Sequence, residues 1–456
     1  MNNFTYLQQY GYNVLMAGYS VFITGEAGTG KTYTLNKFIK NQRARGRNVM
    51  VCAPTGIAAL HINGVTLHRQ FKADIRINVN TPVYDEVAYE LADVDTLVID
   101  EISMCRIDLF ELIVKYIFSA NSLRKRRNKP KLQVVLSGDF LQLPPVLTNE
   151  DRELLSKLYG RDITMGFAFE SPLWNKLGLN YVILTEVVRQ DNKEFLQVLN
   201  RLRLGDKTAI DYIMKNCSKV PFGDAVNLYG KNNSATERNI SELNKLQSEL
   251  YTHEAIINGA AKITDTNADN VLPLKVGARV VSLVNKELED GSLVYGNGSL
   301  GTVVSINSDS VTVEFDSGAV ENIGLYTWNV EEYYIENDKL CSRQVGTVVQ
   351  YPLKLAYAIT IHKSQGQTYN CVNINPYTWD CGQLYVALSR VKDIKNLYLT
   401  SEINYDYLVL SLNVIKFYNY IVKEANKDLD TTVDLTKAEK KVYENDDMNK
   451  IINLLG

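Results

Sequence analysis

The chain has 456 residues, 45% apolar and 22% charged, the balance of an ordinary globular protein long enough for two to four domains at roughly 100–200 residues each. A formal net charge of −3 excludes a protein that holds a polyanion through its overall field, so any nucleic acid needs a local groove. The chain lacks an apolar run of about 18 residues and a basic flank with an apolar core at its start. Its six cysteines and four histidines form neither a CxxC nor an HExxH pattern. The expectation is an intracellular protein with no membrane span, disulfide framework or zinc site, cytoplasmic and nucleoid-associated if bacterial or phage.

In chain order, SVFIT (20–24) runs into a glycine loop, NVMVCA (48–53) into PTGIAALHI, DTLVI (95–99) into DE, and LQVVLS (132–137) into GD; YVILTEVV (181–188) offers a fifth run. Continuous apolar strands separated by helical segments predict a parallel sheet covered on both faces. Such sheets bind ligands at the carboxyl ends of their strands. Residues 190–270 are mixed, with helical stretches such as NKEFLQVLNRLRLG. From 275 to 350 short alternating strands with Gly, Asn and Asp turns predict a small β-barrel. The α/β pattern resumes at PLKLAYAITIHKSQG (352–366), VNI (372–374) and NLYLTS (396–401), and a polar, charged tail follows about residue 424. The fold class is therefore α/β, with a β module inserted in a second α/β domain.

GEAGTGKT (25–32) matches GxxxxGK[ST] directly after a strand. Backbone N–H groups around Gly25, Ala27, Gly28, Thr29 and Gly30 would wrap phosphates at the start of the next helix. Lys31 would reach the β- and γ-phosphates, and the Thr32 hydroxyl would ligand Mg²⁺. VIDE supplies the second half: Asp100 for the magnesium shell, and Glu101 to orient or deprotonate an attacking water. These elements establish a nucleoside triphosphatase and leave the use of its energy open.

Eight segments in order, GEAGTGKT, VCAPTGIAAL, GVTLH, VIDEIS, GDFLQLPPV, LTEVVRQ, AYAITIHKSQGQT and QLYVALSRV, resemble the motifs of superfamily 1B helicases. The match is closest to the petite integration frequency (Pif) helicases and their RecD-like relatives, over about residues 6–405. The resemblance implies two RecA-like P-loop domains with an inserted Src-homology-three-like barrel, and ATP and Mg²⁺ as cofactors. It also implies a monomeric motor moving 5′ to 3′ on single-stranded DNA, with strand junctions as partners and roles in replication, repair and telomere maintenance. The implied boundaries are 1–184 for the first domain, with a small wedge excursion at about 69–90, then 185–277 and 349–424 for the second, 278–348 for the barrel, and 425–456 for the tail.

Residue by residue, the resemblance makes Gln8, with Gln9 as its alternative, an adenine reader, and Arg189 and Arg390 arginines that enter the nucleotide cleft; Gln142, at its strand exit, would sense the γ-phosphate and could hold the attacking water. Pro54, Thr55, His68, Phe71, Thr360, His362 and Lys363 become DNA contacts. Alternatives stand beside several of these. Thr55 also suits a helix N-cap and His68 a buried structural role; a solvated loop is the default for the basic run SLRKRRNKPK (122–131). GVTLH continues as RQF, where the family often has serine and two phenylalanines. Duplex DNA, G-quadruplexes and RNA–DNA hybrids are all candidate substrates. The rival reading is a DNA- or RNA-stimulated ATPase that acts as a switch without unwinding.

Overall fold

The structure, a computed structural model, describes residues 4–73, 81–186, 193–223, 225–287, 293–336 and 339–432. The chain forms two compact units: Met1–Pro221 with Gln365–Asn370 and Pro376–Gly456, and Phe222–Ser364 with Cys371–Asn375.

Unit 1 opens with α1 (Tyr6–Met16), β1 (Val21–Gly25), α2 (Lys31–Ala44), β2 (Val49–Ala53), α3 (Gly56–His61), β3 (Val65–Thr66) and α4 (Leu67–Gln70). It continues through α5 (Asp85–Ala92), β4 (Thr96–Ile99), α6 (Ile107–Arg126), β5 (Gln133–Ser137), α7 (Asn149–Tyr159), β6 (Asn180–Leu184), α8 (Lys193–Arg203) and α9 (Thr208–Asn216). The six strands form one sheet in the order β3-β2-β4-β5-β1-β6, parallel at every pairing.

The alternation of side chains along a strand explains why these runs are apolar throughout. Phe22, Leu97, Ile99, Val134 and Leu136 point to one face, against α5, α6 and Val414, Phe417 and Ile421 of the helix Leu412–Thr432. Val21, Ile23, Val98 and Val135 point to the other, against Leu7, Val14, Leu35 and Phe38 of α1 and α2. Each fully buried large side chain contributes on the order of 1.5–3 kcal/mol, so this double-faced packing fixes the register. With every strand parallel, the exits of β1, β4 and β5 lie on one edge, and β5 sits between the other two.

At the end of the expected excursion, Val87, Ala88, Leu91 and Ala92 of α5 are buried in the core, and residues 74–80 lie outside the described residues. The basic run is solvated from Lys125 through Lys131, with Arg124 as its buried exception. α6 extends through Arg126, and Arg124, 1% exposed, donates to the carbonyls of Pro130, Ala92 and Val94. Arg127 and Lys129 pair with Asp93.

Unit 2 holds a parallel set in the order Ala358–Thr360, Val226–Tyr229, Val372–Ile374. It also holds a five-stranded antiparallel sheet of Val320–Ile323, Val311–Phe315, Leu300–Ile306, Arg279–Ser282 and Leu353–Leu355 with its own core, including Val280, Val303, Val313, Phe315 and Leu353. That sheet takes in Leu353–Leu355, past the expected edge of the β module. A long ribbon, Tyr326–Glu336 with Lys339–Gln350, pairs in turn with Ile256–Gly259. Among the described residues no helix is long and apolar enough to cross a membrane, and Cys52, Cys105, Cys217, Cys371 and Cys381 form no disulfide there.

Candidate nucleotide site

The loop between β1 and α2 turns through Gly28 and Gly30, both at positive φ (84° and 82°), a conformation that costs glycine nothing. Lys31 Nζ donates to the carbonyls of Gly25 and Glu26 at 2.8 and 3.0 Å, so the ammonium lies over the loop where a phosphate oxygen would compete for it. Gln8 uses both ends of its amide. Its Nε2 donates to the Thr29 carbonyl at 2.8 Å, and its Oε1 accepts from the Thr5 N–H at 3.1 Å as part of a capping box. Gln8 thereby ties the start of α1 to the phosphate loop. Gly30 leaves no alternative, since a Cβ there would lie 2.4 Å from Gln8 Nε2. On the other side, the Ala27 N–H donates to the Tyr385 hydroxyl at 3.1 Å.

At the exit of β4, the Thr32 hydroxyl donates to Asp100 Oδ2 at 3.2 Å, and the Glu101 N–H donates to Asp100 Oδ1 at 3.0 Å. A hydroxyl and a carboxylate side by side are hard oxygen donors suited to Mg²⁺, which keeps much of its shell as water and substrate phosphate. Among the described residues no cluster of three or more acidic, His or Cys side chains is poised for a metal. Glu101 sits at φ 51°, a left-handed conformation that costs a non-glycine residue of order 1–3 kcal/mol and is concentrated at functional sites. Gln365 Nε2 donates to Glu101 Oε2 at 3.2 Å. Burial and then the Asp100 charge push the Glu101 carboxyl up to about 7, against the opposing pull of Lys31, Gln365 and Arg390. A carboxyl tuned there suits proton transfer near neutral pH.

At the exit of β5, Asp139 is fully buried and saturated with partners. Arg203 of α8 donates to it through Nη2 at 2.8 Å and Nε at 3.1 Å. Tyr418 donates to Asp139 Oδ1 at 2.8 Å and shares a 2.7 Å hydrogen bond with Thr24 of β1. Gln142 Nε2 donates to Asp139 Oδ2 at 3.3 Å. Burial works to raise the Asp139 carboxyl, but the charge and hydrogen bonds of Arg203, with Lys31 and Tyr418, hold it below the usual range. Glu26, in the phosphate loop, is pushed up by burial and drawn back by Arg203. Arg390, 4% exposed, donates to the carbonyls of Val386 and Gln367 and to the Ser389 hydroxyl.

The structure thus brings Gln8, Lys31, Thr32, Asp100, Glu101, Gln142 and Arg390 together in one unit. Arg189 lies outside the described residues. Gly382 joins the set through its backbone: at φ 68°, it lies where a Cβ would meet the Leu141 and Gln142 carbonyls at 2.5 and 2.4 Å.

The DNA-contact candidates divide. Thr55 Oγ1 accepts from the Ala58 N–H at 3.2 Å, the N-cap geometry, with Pro54 half-buried before it. His68 lies half-buried on α4. Phe71 is a correction: it is 0% exposed and packs on Tyr116 with ring centroids 5.8 Å apart. A wholly buried ring has no face to offer a strand, so Phe71 is a core residue. In unit 2, Thr360 is 6% exposed, His362 half-buried and Lys363 exposed.

Sequence reasoning missed Gln365, Asp139, Arg203, Tyr385 and Tyr418. Gln365 and Asp139 stand inside quoted motifs, so their signal was adjacency. Arg203 and Tyr418 sit in helices whose pattern says only amphipathic.

Comparison with known proteins gives a consistent picture. Residues 8–212 match the model of the PIF1-like helicase family, and residues 355–394 that of a UvrD-like helicase C-terminal domain. The chain is 31% identical over 434 residues to the ATP-dependent DNA helicase PIF1 of Danio rerio, covering 90% of this chain and 63% of that protein. It is 29% identical over 449 residues to the ATP-dependent DNA helicase Pif1 of Campylobacter jejuni, covering 89% and 95%. The chain thus spans less than two thirds of the zebrafish relative. Among solved structures, Bacteroides Pif1 with ADP-AlF3 and single-stranded DNA matches at a TM-score of 0.77, with 30% identity and coverage of 93% and 98%. A second Bacteroides Pif1 structure, bound to single-stranded DNA, matches at 0.76 over 92% and 97%.

Proposed function

Because the chain belongs to the PIF1-like helicase family, we propose that it is an ATP-driven motor that moves on single-stranded DNA, 5′ to 3′, and opens duplex ahead of it. The observation that carries this reading is the meeting of Lys31, the Thr32–Asp100 pair and the Glu101 carboxyl on one sheet edge. That set can hold a nucleoside triphosphate, hold its cation and take a proton from water. Thr32 and Asp100 would hold Mg²⁺, which supplies charge neutralisation at the phosphates when bound. Lys31 exchanges its two carbonyl partners for phosphate oxygens, and Glu101 accepts the proton of the attacking water. Gln142, tied to Asp139, senses the γ-phosphate, and Arg390 stabilises the charge that develops on it.

Single-stranded DNA and its junctions with duplex are the proposed partners, with Thr55, His68, Thr360, His362 and Lys363 as candidate contacts, a monomer as the working unit and the cell interior as its place of action. The earlier domain boundaries, with the β module as a Src-homology-three-like barrel, belong to the same proposal. Opening a base-pair step costs on average about 1.4 kcal/mol, so the motor chiefly prevents reannealing and moves one way. The test is ATP hydrolysis with and without single-stranded DNA, together with strand displacement from 5′- and 3′-tailed duplexes. DNA-stimulated hydrolysis, with displacement only from the 5′ tail and none after Lys31→Ala, is the expected result. Stimulation without displacement leaves the switch reading, and no stimulation by single-stranded DNA sinks the motor.

A further inference from the structure

We propose that Gln365 positions both the base and the nucleophile of ATP hydrolysis: its Nε2 holds the Glu101 carboxylate, and its Oε1 accepts a hydrogen bond from the attacking water. The inference rests on the hydrolytic reading above and adds a residue to it.

Two observations carry it. Gln365 Nε2 donates to Glu101 Oε2 at 3.2 Å, while Gln365 Oε1 is buried without a hydrogen-bond partner among the described residues, on a side chain only 7% exposed. A buried acceptor left unpaired keeps its full desolvation cost, and such groups are rare enough to need an explanation. Flipping the amide gives no relief, because it would set the carbonyl oxygen against the Glu101 carboxylate. The orientation is therefore fixed by Glu101, and the free acceptor sits on the same amide as the donor that grips the base. A packing role alone would be met better by an apolar side chain of similar size.

The geometry divides the water's hydrogen bonds. One O–H faces the Glu101 carboxylate and the other faces Gln365 Oε1, which leaves an oxygen lone pair aimed away from both, toward the phosphates held at Lys31. The new bond forms between that oxygen and the γ-phosphorus as the bond to the β–γ bridging oxygen breaks. The first proton passes to Glu101, the second stays on the departing phosphate, and the bridging oxygen leaves with ADP.

The experiment compares Gln365→Met, Gln365→Glu, Glu101→Gln and the double variant Gln365→Met/Glu101→Gln in full-length chain, by steady-state hydrolysis at saturating single-stranded DNA. Gln365→Met should keep its melting temperature and a KM for ATP within about threefold, and lose on the order of 10²-fold in kcat, the scale of one oriented group in a reacting site. Gln365→Glu, which keeps an acceptor but loses the donor and adds a like charge, should be no better. Since Gln365 and Glu101 hold the same water as one unit, the loss in the double variant should fall well short of the product of the two single losses. A Gln365→Met kcat within threefold of the unaltered chain, a loss confined to KM, or losses that multiply in the double variant would each overturn the assignment. Absence of DNA-stimulated hydrolysis in the unaltered chain would instead sink the functional reading beneath it.

Discussion

The exits of β1, β4 and β5 in unit 1 and the exit of the strand Ala358–Thr360 in unit 2 are the same kind of place, the carboxyl end of a parallel strand, yet they are furnished differently. In unit 1, Asp100, Asp139, Gln142, Gln365, Arg203 and Arg390 are each no more than 7% exposed and hydrogen-bonded to one another or to backbone. In unit 2, Thr360 is buried, but Lys363 stands exposed and His362 half-buried. A group that must act on a bond is held still, and a buried charge can be held only by partners. A group that grips a long, mobile polyanion can stay in water, where its contribution is modest and screened by salt.

The difference predicts an order of effects. The largest loss belongs to the reacting groups: Lys31→Ala and Glu101→Gln should each lower DNA-stimulated hydrolysis by about 10²–10⁴-fold, read by phosphate release, with the fold intact by circular dichroism. Next comes the buried pair. Arg203→Ala leaves Asp139 without its counter-charge and should cost about 3–5 kcal/mol of stability in denaturant titration. Because the Asp139 carboxyl is held below its ordinary range, its contribution is present above the unfolded value of about 3.9 and is lost as pH falls through the lowered folded value. In Arg203→Ala the burial that raises the Asp139 carboxyl loses its main opponent, so the stability that Asp139 loses on acidification should shrink or reverse. An unchanged acid limb would show that the pair is not what holds Asp139.

Gly382→Ala should come third, at about 1–3 kcal/mol, since a side chain there is strained at φ 68° and meets two backbone carbonyls. Its melting temperature would reveal whether the Gln142 turn can shift. The smallest change is expected in unit 2. Lys363→Ala should weaken single-stranded DNA binding and flatten the log–log salt slope by about 0.7, one phosphate contact, with hydrolysis at saturating DNA nearly unchanged. A change of slope near zero would remove Lys363 from the DNA track.

What the sequence exposed depended on how local the requirement was. The parallel sheet was legible because strands buried on both faces must be apolar throughout, and β1, β2, β4, β5 and β6 all fall on the runs read from the chain. The two-residue β3 was not, because two residues carry no period. The phosphate loop and Asp100–Glu101 were legible because a tight glycine turn and a strand-end carboxylate are short-range demands.

The same reasoning misplaced Phe71 and Arg124. An aromatic ring near a DNA motif and one cation in a basic run both look exposed until Tyr116 and the carbonyls of Ala92, Val94 and Pro130 are seen around them. By itself the sequence determined five of the six strands of the sheet, the glycine turn after β1 and the strand-end pair Asp100–Glu101. Tertiary structure alone decided that Arg203 and Tyr418 close on Asp139 and that Gln365 grips Glu101 while keeping a buried acceptor unused. Partners 64, 279 and 264 positions apart in the chain leave no periodic trace, and whether a buried polar atom is satisfied depends on every element packed around it.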